Sequence, residues 1–172
     1  MAEVSLSGTQ SEQYVYKERP SGVVGEEHYE KRTFTIPEVK HGEVLIRAVY
    51  LSVDPYMRIQ QSAKNTWEEP HPLGTVQGGG SIGVVEESKC EGIAVGDVVA
   101  GYTGWQKHAV VDGESVKIIS TVGEASSPDH LPLSLWLGVL GMPGRTAYFG
   151  LLGDDVRRPK KGETVVVSGA AG

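Results

Sequence analysis

Two stretches of this chain carry residues whose types and spacing could do chemistry, one in the middle and one at its end. The first is Val53-Asp54-Pro55-Tyr56-Met57-Arg58. Asp before Pro starts a helix, because the carboxylate can accept from unpaired N–H groups and Pro in the first turn gives up no needed donor. Tyr56 then sits in a first turn. Its phenol stays protonated at neutral pH and can donate a hydrogen bond, although a tyrosine there can equally be a packing residue. The second stretch is Thr164-Val165-Val166-Val167-Ser168-Gly169-Ala170-Ala171-Gly172. A β-branched run suits a strand buried on both faces, and a small-residue turn after it lets backbone approach a phosphate. Residues 162–172 therefore predict the first strand and half the glycine turn of a nucleotide-binding unit, and the chain reads as the front portion of a longer protein.

Other candidates are weaker alone. Gly141-Met142-Pro143-Gly144-Arg145-Thr146 offers Met142 as core filling and Thr146 as a cap for a following helix. Gly78-Gly79-Gly80 marks a bend, a bulge or a close approach. Arg58 is read as a solvated or ion-paired side chain. Cys90, beside Lys89, is an incidental exposed cysteine or a reactive thiol. As the single cysteine it permits no internal disulfide and no thiolate-rich zinc site, and it fits a reducing, cytoplasmic setting. The five histidines lack metal-ligand spacing and are placed in loops or at the surface, so no metal is expected. A net charge of −6 with no long basic stretch argues against nucleic acid and anionic lipid. Leu131–Pro143 falls short of the roughly 20 apolar residues a membrane span needs. The polar start has no signal-peptide pattern.

The elements that must position these residues are mostly strands. With 23 glycines and 9 prolines the composition favours short strands and tight turns. Residues 1–13 read as a loose tail. Strands are predicted at Tyr14–Tyr16, Tyr29–Ile36, Glu43–Leu51, Ser81–Glu86, Val98–Ala100, Trp105–Val111 and Val116–Ser120, with the second and third spaced as a hairpin. Residues 14–122 thus form a mainly β barrel or sandwich. Residues 123–161 form a helical crossover, with a short buried helix over Leu131–Leu140 and a second over Arg145–Leu152.

Val53–Arg58, Gly74-Thr75-Val76-Gln77-Gly78-Gly79-Gly80, Gly141–Gly150 and the closing Val-Val-Val-Ser-Gly-Ala-Ala-Gly resemble the zinc-independent medium-chain dehydrogenase/reductases. Within them the chain is most similar to the alkenal/enone reductases, the group of prostaglandin reductase and leukotriene hydroxydehydrogenase, over residues 29–172. The resemblance implies a GroES-like, partly open β-barrel with short helices, ending in the first strand of a truncated Rossmann domain. It implies NADPH-dependent reduction of the C=C bond of α,β-unsaturated aldehydes and ketones, with this portion inactive alone. Tyr56 would donate to the developing enolate, since zinc enzymes of similar architecture place a Cys and a Gly-His-Glu where this chain has Ser52-Val53 and Gly74-Thr75-Val76. Tyr56 and Tyr102 would meet substrate; Met142, Gly144, Thr146 and Gly172 would meet cofactor. A homodimer is implied for the full-length protein. A quinone reductase of the same superfamily and a non-catalytic GroES-like binding module are the alternatives.

Overall fold

Strand β3 (Glu43–Leu51) explains the architecture, because its apolar residues are used on both faces. Val44 and Ile46 point to one side and pack with Val85 and Val99. Leu45 points to the other and packs with Ile36 and Val39. A strand buried this way must lie inside a sheet, and β3 is the second strand of a five-stranded antiparallel one. The computed structural model describes residues 5–64, 69–121, 131–156 and 158–168. It divides into two units, Met1–Ser134 and Leu135–Gly172, each described by itself.

In the first unit, β1 (Gln10–Tyr16) pairs antiparallel with β2 (Tyr29–Thr35) as a two-stranded sheet. The larger sheet adds β4 (Ser81–Ser88), β5 (Val98–Gly101), β6 (His108–Asp112) and β7 (Val116–Ser120), in the order β6-β3-β4-β5-β7. The two sheets stay open, and β1 makes single bridges to the segments that lead into β6 and β4, Gln13 to Gln106 and Val15 to Val76. This is the mainly β, partly open arrangement expected.

Several local expectations are corrected. β2 and β3 form no hairpin; β2 takes β1 and β3 takes β4 and β6, because strand partners are chosen by the faces to be buried and not by closeness in sequence. Residues 10–13, read as tail, belong to β1, and Ser11 is buried. Helix α1 (Pro55–Gln60) starts where Asp54-Pro55 predicts, yet Asp54 does not cap it by its side chain. The Ser52 hydroxyl donates to the Asp54 carboxylate instead. Cys90 is half-buried against the Val44 cluster, and a side chain at Gly113 would collide with its sulfur.

The apolar stretch makes only a 3-10 turn over Leu133–Leu137, with no buried residue. Pro132, Gly138 and Gly141 confine it to that length. Helix α2 (Met142–Leu152) begins at Met142, so Gly144 lies inside its first turn. A side chain there would meet the Val139 carbonyl. Residues 164–168 form no strand, and Val166 is 86% exposed. A strand needs a neighbour for its N–H and C=O groups, and none pairs with this run among the described residues. The predicted contact of Gly172 with phosphate lies outside the described residues.

Candidate functional site

Helix α1 presents Asp54, Met57, Arg58 and Gln61 on one side, at the i, i+3, i+4 and i+7 positions that share a helical face. That face forms one wall of an open groove of about 940 Å³. Tyr14 from β1, Tyr29 and Lys31 from β2, Leu51 from the end of β3, Val53, Trp105 and the Val24-Gly25-Glu26 loop complete it. The Tyr29 and Trp105 rings lie 5.2 Å apart at 34°, a tilted stack that gives the groove a flat aromatic surface.

The groove is held by backbone and by a buried polar chain. Trp105 N–H donates to the Gln77 carbonyl at 2.7 Å, and its indole N–H donates to the Ser52 carbonyl at 3.1 Å. Gly79 lies under Met57 and Trp105; a methyl group there would stand 2.9 Å from the Met57 terminal carbon. Gln61, only 2% exposed, donates from Nε2 to the Tyr29 hydroxyl at 2.6 Å and to Gln77 Oε1 at 3.0 Å. The Tyr16 hydroxyl donates to the Gln61 carbonyl at 2.9 Å. Burial raises the Tyr16 pKa, while the nearby Arg19 guanidinium opposes that shift, so the phenol stays a donor.

Cations around the groove are already engaged. Arg58 donates to the Pro20 and Gly22 carbonyls at 3.3 and 3.1 Å, which fixes the loop before β2. Lys31 pairs with Glu12 at 2.7 Å; this hydrogen bond, helped by the charges, raises the Lys31 pKa and lowers that of Glu12. No three His, Cys, Asp or Glu side chains converge as a metal cluster among the described residues.

The residues singled out in sequence are placed as follows. Tyr56 is half-buried in the first turn of α1, next to Met57 but on the neighbouring face, and it is not among the groove-lining residues. Tyr102 is 57% exposed, and its ring lies against the Gly78 backbone, where a side chain would meet its hydroxyl. In the second unit Met142 is exposed, and the Thr146 hydroxyl donates to the Met142 carbonyl at 2.8 Å. His28 and His108 are more engaged than a surface reading allows. His28 is buried and bonds to Gly25, and His108 lies between Ser11 and Glu86. Tyr29, Gln61 and Trp105 were not singled out. Gln61 and Trp105 are separated in sequence by 44 residues, and no local pattern marks their convergence.

Comparison with known proteins adds a second line of observation. Residues 12–119 match the family described as the N-terminal domain of oxidoreductase. The chain is 41% identical over 163 residues to prostaglandin reductase 1 of Rattus norvegicus, covering 95% of this chain and 46% of that protein. It is 39% identical over 160 residues to the NADPH-dependent curcumin reductase of Escherichia coli, covering 92% and 44%. Among solved structures, CurA of Vibrio vulnificus in complex with NADPH superposes with a TM-score of 0.72 at 42% identity, over 82% of this chain and 40% of that one. The chain thus spans less than half the length of these relatives.

Proposed function

The chain belongs to the family of oxidoreductase N-terminal domains, in the alkenal/enone reductase branch of the medium-chain dehydrogenase/reductases, and from that premise we propose that it is the substrate-facing part of an NADPH-dependent, zinc-independent enone reductase. The observation that carries this reading is the open, aromatic-floored groove against α1, the helix that also bears Tyr56. Such a groove takes a flat apolar molecule against its aromatic floor.

The cofactor site is tested by its donor set. Met142 and Thr146 offer an exposed thioether and a hydroxyl whose lone pairs remain able to accept, both of them uncharged groups. That suits a neutral carboxamide, so Met142, Gly144 and Thr146 would hold the nicotinamide end. Bound NADPH would supply the hydride that adds to the β-carbon of the enone. Negative charge then develops on the carbonyl oxygen of the substrate. Tyr56 donates a hydrogen bond to that oxygen, the task a Lewis acid performs in zinc enzymes of similar architecture, and the enolate then takes a proton from water at its α-carbon to give the saturated carbonyl. Tyr102 contributes a further apolar surface, and the groove holds the remainder of the substrate.

The test is NADPH consumption by the full-length protein with 2-alkenals, alkenones and a quinone. Saturated carbonyl products are expected from the enones, and Tyr56→Phe is expected to lower kcat on the order of 10²-fold. Turnover of the quinone alone overturns the enone reading. Unchanged turnover by Tyr56→Phe removes that residue from the chemistry.

A further inference from the structure

The ring of Tyr29 is used in the stack on Trp105, but its hydroxyl proton is not, and the bonds that reach this hydroxyl have a direction set by backbone. Gln77 is fully buried, and its Nε2 donates to the Gly78 carbonyl at 2.9 Å. A carbonyl can only accept, so Gln77 Oε1 is the atom left facing Gln61, where it accepts from Nε2 at 3.0 Å. The second hydrogen of that same nitrogen goes to the Tyr29 oxygen at 2.6 Å. Tyr29 is therefore an acceptor from the protein and keeps its own proton, for which no acceptor stands among the described residues. Reversing the chain would turn an amide oxygen against the Gly78 carbonyl, leaving a buried group unsatisfied.

Gln61 and Tyr29 both line the groove, so this proton is available at its floor. Tyr56 is not among the residues that line this groove, which separates the two phenols' tasks. We propose that Tyr29 is a specificity-determining residue that donates a hydrogen bond to a second oxygen of the substrate, away from the reacting double bond. The protein then prefers flat apolar enones that bear a further carbonyl, ether or hydroxyl oxygen over hydrocarbon enones of the same size. This rests on the reading of the groove as the substrate site.

The experiment compares two enones of equal length in the full-length protein, one with a ketone oxygen at its far end and one with a methylene there. Tyr29→Phe keeps the ring and its stack. It is expected to lower kcat/KM for the oxygenated enone about fivefold to tenfold, mainly through KM, and to change the other less than twofold. An equal loss on both substrates means a purely structural role and overturns the proposal. Turnover of neither enone by the unaltered protein sinks the reductase reading instead. In that case the affinity ratio of the same pair, measured by calorimetry with and without Tyr29→Phe, still decides the role of Tyr29, and an unchanged ratio overturns it.

Discussion

Gly104 is what allows Trp105 to reach the groove. Its φ of +76° is a left-handed conformation that costs other residues about 1–2 kcal/mol. A side chain there would also stand 2.8 Å from the Gln77 carbonyl, the acceptor for Trp105 N–H. Gly92 has a similar φ of +84° with open space around it. The pair separates strain from collision. Gly92→Ala is expected to cost about 1 kcal/mol and Gly104→Ala about 2–4 kcal/mol, read from urea unfolding midpoints. Equal losses would mean that the carbonyl moves freely and that Trp105 is not held by it.

Helix α1 shows how much of the site could be read from sequence at the level of elements. The Asp54-Pro55 start is local chemistry and was legible, as was β3, whose β-branched run needs no partner to announce itself. What was not legible is what ends α1. Arg19, 42 residues before Gln61, donates to the Gln61, Ser62 and His71 carbonyls at 3.4, 3.0 and 3.0 Å, where the helix leaves acceptors unpaired and its dipole favours a cation. Nothing local in Lys17-Glu18-Arg19 announces that role. The same holds for the floor of the groove: Gln61 and Gln77 look like surface residues by type, and only the fold makes them a buried chain. A lysine cannot span three carbonyls as the planar guanidinium does. Arg19→Lys is therefore expected to lower stability by about 1–2 kcal/mol, whereas Arg32→Lys, in the exposed pair with Glu30, leaves the thermal midpoint unchanged. Equal shifts in both variants would show that Arg19 merely sits near the helix end.

At the scale of the whole first unit, the small β1–β2 sheet supplies Tyr14, Tyr29 and Lys31 to the groove, while the larger sheet supplies Leu51. Their alignment depends on the few ties between sheets, and one of these is titratable. Ser11 in β1 bonds to His108 Nδ1 in β6 at 2.7 Å, and His108 Nε2 lies 3.3 Å from Glu86 of β4, which also accepts from Arg47 at 2.6 Å. In the neutral imidazole Nδ1 accepts from the serine, and Nε2–H lies on the side of Glu86 Oε2, a buried oxygen that no hydrogen bond of good geometry reaches. Burial lowers the His108 pKa; Glu86 opposes the shift, while the charges of Lys107 and Arg47 add to it. The unfolded chain takes up this proton near the ordinary value of about 6.5, before the folded protein does. Stability from this group is therefore fully present above about pH 6.5, declines as pH falls toward the lowered folded value, and is constant below it. Glu12 and Glu30, whose pKa values are lowered by hydrogen bonds to Lys31 and Arg32, act in a separate window below the ordinary carboxylate range. Urea midpoints measured from pH 8 to pH 5 should thus fall for the natural sequence, and His108→Gln should flatten that decline while leaving the carboxylate-driven loss at lower pH in place. An undiminished decline in the variant would move the titrating tie to another residue. A decline accompanied by loss of Tyr29–Trp105 ring coupling in near-ultraviolet circular dichroism would connect the tie to the groove itself.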